Sequence, residues 1–197
     1  MSKLNKIAAG LGLAVAVCFS APISMAQDVL VVDTAKVFVS SKAGQDLSAK
    51  VQQIGKTMES ELTPEKNALA TEKQSLDAKL QGKTAEQVRA DQALVAQGKA
   101  YTRKVETYAM KSEKRGRELV ATERTALQIF GQKMRTAVET VRANRGGKIV
   151  IDKTNVFVAD ASADITNDVV TELDKIAPTI TVQRVSLPDQ PQSSNGQ

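Results

Sequence analysis

The segment 80-LQGKTAEQ-87 decides the fold, because one long run of helix-forming residues ends there and a second one begins. Thr84 followed three residues later by Gln87 is the pattern of a capping box, in which the two residues satisfy each other's backbone groups at a helix start. Gly82, just before it, suits a tight turn. We therefore predict a turn near residues 81–84 that joins two antiparallel helices.

Apolar residues recur every three or four positions on both sides of this turn, as they do on one face of a helix. In the first helix this stripe consists of Leu47, Val51, Ile54, Met58, Leu62, Leu69, Leu76 and Leu80. In the second it consists of Val88, Val95, Tyr101, Val105, Tyr108, Leu119, Ala126, Phe130, Met134, Ala137 and Val141. Pro64 interrupts the first stripe, so that helix is expected to kink or to restart there. These patterns predict a helical hairpin arm over residues 41–146, which stops at Gly146 and Gly147.

The flanks, residues 27–40 and 147–178, have a different pattern. Three runs rich in β-branched residues are suited to strands: residues 29–32, 148–151 and 156–158. Asp164 is expected to cap a short helix that ends before Pro178. Because three short strands are too few for an independent sheet, we expect copies from other subunits to complete it.

The two ends of the chain are predicted to lie outside this fold. A positive start, an apolar run over residues 7–19 and the motif 24-SMA-26 predict a secretory signal cleaved after Ala26. The apolar run is too short to anchor the protein in a bilayer. Cys18, the sole cysteine, lies within the signal, so the exported chain has no disulfide. Residues 179–197 are expected to form a disordered tail.

Composition limits the function classes. The chain contains no His, which excludes His-based catalysis and His-ligated zinc. We find no glycine-rich phosphate loop, no nucleophile beside a base and no metal-ligand cluster, so we expect no cofactor and no enzymatic activity. The arm carries 20 basic and 13 acidic residues. Nucleic-acid binding is nonetheless disfavoured, because acidic residues are interleaved with the basic ones and an export signal precedes them.

Several segments carry a resemblance to a known family. They are 31-VVDTAKVF-38, 41-SKAG-44, 149-IVIDK-153, 155-NVF-157 and 164-DIT-166, together with Thr136, Ala137, Val138, Val141 and Val169. Over residues 27–176 the chain resembles the Skp (OmpH) family of periplasmic chaperones. This resemblance implies a homotrimer in which strands from three subunits close a small barrel-like body. Three helical hairpins would extend from that body around a cavity and hold unfolded outer-membrane proteins without ATP.

The resemblance thus implies a mainly α fold with a small β body, in which a long antiparallel helical hairpin arm extends from a short-stranded, barrel-like trimerisation body. Candidate residues of that body are Val29, Val31, Phe38, Ile149, Val150, Ile151 and Phe157. Candidate client-contacting residues on the arm are Tyr101, Tyr108, Met110, Lys111, Lys114, Arg115 and Arg117. The tyrosines could instead pack in the helical seam, and the basic cluster could instead be a solvated helix face.

The implied partners are further copies of the chain, unfolded outer-membrane proteins and, through the basic cluster, anionic lipid or lipopolysaccharide. The implied location is the periplasm. The alternative function is a coiled-coil spacer or tether of the cell envelope. An interrupted first helix at Pro64, the turn that pairs the two helices and the lack of a predicted anchor count against this alternative.

Overall fold

The computed structural model describes residues 28–189, and helices dominate this range. The helices are α1 (Thr34–Ser40), α2 (Lys42–Leu80), α3 (Ala85–Ala90), α4 (Gln92–Asn144) and α5 (Thr166–Ile176). The strands are β1 (Val29–Val32) and β2 (Ile149–Asp152), and single 3-10 turns lie at Lys153–Asn155 and Ala161–Ala163. The predicted mainly helical fold with a small sheet is confirmed. None of the helices in the described range is long and apolar enough to cross a bilayer.

The predicted capping box forms at the tip of the arm. The Thr84 hydroxyl accepts a hydrogen bond from the Gln87 amide at 3.3 Å, and the Gln87 side chain accepts one from the Thr84 amide at 2.9 Å. Two helices follow the turn, the short α3 and the long α4, where the sequence predicted one. Asp91 ends α3 and caps α4 by accepting a hydrogen bond from the Leu94 amide at 3.0 Å.

Polar pairs across the arm show that α2 and α4 run antiparallel in one constant register. The pairs are Lys79 with Gln97, Glu72 with Lys104, Glu65 with Lys111 and Glu61 with Arg115. Each step of four or seven residues along α2 is matched by an equal step along α4. Both helices therefore keep the same faces together from the tip to the middle of the arm.

Pro64 lies inside α2, which is continuous from Lys42 to Leu80, so of the two expected alternatives, a kink or a restart, the restart is wrong. A proline in a helix leaves the carbonyl four residues earlier without its amide partner. That carbonyl belongs to Ser60, and both residues are on the exposed side of α2. Water can hydrate the carbonyl there, which allows the helix to continue.

The hydrophobic core lies where the base of the arm meets the sheet. β1 and β2 pair in parallel, with Val29 opposite Ile149. The largest buried side chains of this region are Leu30, Val37, Leu47, Ile165, Val169, Leu173 and Ile180. Phe38 on α1 packs edge-on against Phe130 on α4, with ring centroids 5.1 Å apart. Both flanks and the base of the hairpin therefore share one core.

Residues 34–40, which follow β1, form helix α1, because Asp33 accepts a hydrogen bond from the Lys36 amide and starts the helix. One strand prediction for the flanks is wrong. Residues 156–158 form no strand, and Phe157 is fully exposed. The Ile165 amide donates to the Val31 carbonyl at 2.9 Å, which occupies the second side of β1. Among the described residues the outer edge of β2 is unpaired, but a 3-10 turn at Lys153–Asn155, in which the Thr154 amide donates to the Asp152 carboxylate at 2.8 Å, follows this strand directly, and residues 156–158 do not fold back onto that edge.

Residues next to the core determine where α4 ends and where α5 begins. α4 stops at a Schellman motif, in which the Gly147 amide donates to the Arg142 carbonyl and Gly146 has a φ of 69°. Asp164 holds the first amide of α5, at Thr166, at 2.9 Å. Ile165 is the residue directly before α5, and its side chain makes no cap hydrogen bond. Asp164, the predicted cap, lies one position before Ile165.

Candidate functional site

The C-terminal segment is ordered against the arm, in contrast to the expected disorder from residue 179. Residues 180–189, which we call the strap, run without helix or strand from the core along α2 and α4. Residues 185, 187 and 189 contact positions of α4 that are four residues apart, which is the advance of an extended chain. Ile180 is fully buried, and its amide donates to the Asp46 carboxylate at 2.8 Å while its carbonyl accepts from Lys50 at 2.8 Å. The remainder of the predicted tail and the predicted signal lie outside the described residues.

The strap covers two buried polar side chains of α4. Glu118 and Thr122 are both completely buried. The Val185 amide donates to the Thr122 hydroxyl at 2.9 Å, and the Leu187 amide donates to the Glu118 carboxylate at 3.1 Å. Both of these hydrogen bonds are to the backbone of the strap, so they do not depend on which side chains the strap carries.

Charges on three elements surround Glu118. Arg115 donates to its carboxylate at 2.6 Å, and the Arg184 guanidinium lies 3.6 Å away. Arg184 also binds Glu61 of α2 through two nitrogens, at 2.6 and 3.0 Å. Burial alone would raise the pKa of Glu118, but the Leu187 amide and Arg115 together hold this pKa below its ordinary value. The carboxylate is therefore ionised and holds the strap on α4, while Arg184 links the strap to α2.

The four predicted basic residues do not form one free cationic surface. Their carboxylate partners lie on different elements: Lys111 pairs with Glu65, Lys114 with Asp189, Arg115 with Glu61 and Glu118, and Arg117 with Glu113. Lys111 and Arg115 thus connect the two arm helices, whereas Lys114 holds the end of the strap. An acidic ligand at these residues would have to compete with the chain's own carboxylates.

The predicted aromatic residues of the arm are half-buried. Tyr108 lines a groove of about 290 Å³ between α2 and α4, together with Met58, Leu62 and Leu119. Tyr101 lies two helical turns closer to the tip on the same stripe. Met110 is more exposed, on a different side of α4. The tyrosines therefore contribute to the seam with part of each ring and leave the rest accessible.

The candidate trimerisation residues separate into two groups. Val31 is buried in the chain's own core, and Phe38 and Val150 are partly buried and pack against the core. Val29, Ile149, Ile151 and Phe157 are exposed, with 53% of the Ile149 surface accessible. Beside Phe157 lies an open groove of about 440 Å³. Within residues 28–189, β2 pairs with β1 alone, so its outer edge and this apolar surface face away from the chain.

Sequence reasoning missed Glu118, Thr122 and Arg184. A signal was present in the tail, because Ile180 and Val182, and again Val185 and Leu187, are two residues apart, as are side chains on one side of an extended chain. Nothing in the local sequence of α4 indicates that Glu118 is buried. The described range holds no group of acidic, His or Cys residues suited to a metal ion.

Comparisons with known proteins agree with this architecture. The chain matches the family model for outer membrane protein (OmpH-like) over residues 28–173. Its fold is similar to the crystal structure of a candidate OmpH-like outer membrane chaperone from Caulobacter crescentus CB15, with a TM-score of 0.72 and 27% sequence identity. That similarity covers 93% of this chain and 99% of the other. No curated protein matches the chain significantly. Since the family model spans most of its length, this chain belongs to the OmpH-like family of outer membrane proteins.

Proposed function

We propose that this chain is an ATP-independent periplasmic holdase, which binds unfolded outer-membrane proteins between the helical arms of a homotrimer and prevents their aggregation. The observation that carries the proposal is the contrast between the base and the rest of the arm. At the base, both helices bury side chains against α5 and the sheet. Toward the tip the two helices have only each other, and few side chains are fully buried. Such an arm leaves half-buried apolar surface for a third partner.

The exposed β2 surface supports assembly through the body. Ile149, Ile151 and Phe157 expose apolar side chains next to an unpaired strand edge. An unpaired edge with apolar neighbours is a template for strand pairing with another chain. In a homotrimer this surface would be covered, and three arms would be held at one end of the assembly.

The arm surface also supports binding of many unfolded sequences. Tyr101 and Tyr108 present partly accessible rings, and Met110 presents a flexible thioether that adapts to different apolar side chains. The excess of basic residues along the arm attracts acidic segments over several ångströms. Weak contacts of this kind retain a client without fixing its conformation.

Shortening the arm tests the proposal. Glu65 and Lys111 face each other across the arm at 2.9 Å, so a short glycine linker between these two positions closes a shorter hairpin in the same register. This variant keeps the body and the strap site and removes the distal arm. We expect it to assemble like the full chain, as measured by light scattering, and to lose protection of an unfolded outer-membrane protein from aggregation. Full protection by the shortened chain would refute client binding along the arms.

A further inference from the structure

The strap lies in a site that is built for an extended chain. We propose that α2 and α4 form a binding site for an extended peptide, and that the strap occupies this site as an intramolecular competitor of unfolded client segments. The existence of the site does not depend on the holdase proposal, whereas the competition with clients rests on it.

The site contains two polar side chains that bind the backbone of the strap. Glu118 and Thr122 are completely buried beneath the strap and accept hydrogen bonds from the amides of Leu187 and Val185. Amides of this kind occur in every unfolded chain, so these two hydrogen bonds recognise backbone rather than one sequence. Release of the strap would expose both acceptors to water, so the amides of another chain can replace those of the strap at small cost.

The geometry of α4 matches the repeat of an extended peptide. The contacts pair successive positions in order: Val185 with Thr122, Leu187 with Glu118 and Asp189 with Lys114. Two residues of extended chain advance by about 6.6 Å, and four residues of helix advance by about 6.0 Å. Side chains at every fourth position of α4 therefore meet every second residue of a peptide that runs toward the tip of the arm.

Side chains of the strap define the class of ligand. Val185 and Leu187 are half-buried against the arm, and Arg184 spans Glu61 and Glu118. The site thus suits an extended segment that has apolar residues at alternate positions next to a basic residue. Unfolded membrane β-strands supply the alternating apolar pattern.

The strap beyond Ile180 is held by contacts that another chain could replace. The Asp189 side chain remains 92% exposed although it pairs with Lys114. Exposed ion pairs contribute little to stability and exchange with competing charges. A tethered segment has an effective concentration of the order of mM, so it excludes weak ligands and yields to longer clients that make additional contacts along the arm.

Amide exchange in the full chain tests whether the strap occupies the site and whether a client displaces it. We expect the amides of Val185 and Leu187 to exchange at least tenfold more slowly than the exposed Ser186 amide between them. Thr122→Val should abolish this protection. Thr125→Val makes the same change on the exposed side of α4, where Thr125 bonds only within its helix, and should not affect this protection.

A saturating unfolded client should accelerate exchange at the amides of Val185 and Leu187 tenfold or more. Unchanged protection with the client bound would overturn the competition.

Two truncations separate the strap from the rest of the tail. A chain that ends at Gln183 keeps Ile180 in the core and lacks the contacts to Thr122 and Glu118, whereas a chain that ends at Asp189 keeps them. We expect the shorter chain to bind an unfolded client about tenfold more tightly than the longer one. Equal affinities would also overturn the competition.

A peptide added in trans tests the site without any client. A labelled peptide of residues 184–189 should bind the chain that ends at Gln183, and Thr122→Val should weaken this binding at least fivefold. No binding at a peptide concentration of about 1 mM, the range expected for a tether, would overturn the site itself. Peptide binding by a chain that protects no client would refute the holdase function and leave the site in place.

Discussion

Gly44 shows how one residue fixes the corner between α1 and α2. Its amide donates to the Ser41 hydroxyl at 3.1 Å, which starts α2 immediately after α1 ends. A β-carbon at this position would lie 1.8 Å from the Phe38 carbonyl oxygen. The motif 41-SKAG-44 therefore combines a helix cap with the one residue type that permits this close approach.

Gly44→Ala is expected to lower the free energy of unfolding by about 2 to 3 kcal/mol, since backbone atoms of α1 must move to admit the methyl group. Gly116→Ala is the matched control. A β-carbon at Gly116 meets no atom within 4 Å, and alanine should raise the stability of α4 by about 0.5 to 1 kcal/mol. Urea unfolding of both variants measures the difference. Equal effects would show that the corner is more adaptable than the structure indicates.

Asp152 and Asp164 make the body sensitive to acid. The Thr154 and Thr34 hydroxyls lower the pKa of Asp152 to about 2, and contacts with Thr166 and Lys153 lower the pKa of Asp164 to about 2. Both carboxylates have ordinary pKa values near 3.8 in the unfolded chain. Their contribution to stability is therefore complete above about pH 5, one unit above the unfolded pKa, and is lost as the pH falls through 3.8 toward 2.

Asp152→Asn should reduce this acid-dependent loss of stability, because one of the carboxylates whose pKa folding lowers is gone. The free energy of unfolding, measured in urea between pH 6 and pH 2, should fall less steeply below pH 4 in the variant than in the unchanged chain. Glu113→Gln alters an exposed carboxylate on the arm and serves as the control. Identical slopes for Asp152→Asn and the unchanged chain would contradict the role of Asp152.

At the scale of elements, the arm combines a regular seam with one local defect. Cross-arm pairs keep α2 and α4 in register, and the capping box closes the tip. Pro64 removes one backbone hydrogen bond from the middle of α2 without ending the helix. The arm should therefore open more readily around Pro64 than elsewhere along α2.

Pro64→Ala is expected to restore the missing hydrogen bond and to slow amide exchange in the adjoining turns of α2. Proline inside a helix costs about 3 kcal/mol relative to alanine, so local exchange should slow tenfold or more. Thr63→Ala changes the exposed neighbour without adding a backbone donor and should have a much smaller effect. Exchange mass spectrometry on peptides from α2 distinguishes the two variants. Equal exchange in both would mean that Pro64 causes no weakness.

At the scale of the whole molecule, the body and the arm are expected to have separate tasks. The body contains the shared core and the exposed β2 surface, whereas the arm contains the half-buried seam and the strap site. In the proposed trimer, changes to the β2 surface should affect assembly, and changes to the distal arm should affect client binding.

Ile149→Asp tests the assembly surface without entering the core of the single chain, since 53% of the Ile149 surface is accessible. Burial of an unpaired carboxylate between subunits is costly, so we expect the trimer to dissociate at micromolar concentration. Val120→Asp places the same charge at an arm residue that is 65% accessible and should leave the mass unchanged. Light scattering measures both. A trimer in both variants would show that assembly uses another surface.

The amino-acid sequence by itself determined the features that depend on neighbours within a few positions. The capping box at Thr84 and Gln87, the stop at Gly146 and Gly147, and the stripe that pairs the arm helices are local patterns, because caps and helix faces involve residues at most four or five positions apart. The OmpH-like family assignment rested on similarly short motifs and is confirmed.

Only the tertiary structure decided what depends on distant partners. Leu187 meets Glu118 and Arg184 meets Glu61 across 69 and 123 positions, and no local pattern specifies such contacts. The same holds for residues 156–158, which have strand-forming side chains but follow a 3-10 turn and pair with neither strand of the described range. The strap lies where partners for its backbone exist, and the folded chain determines where those partners lie.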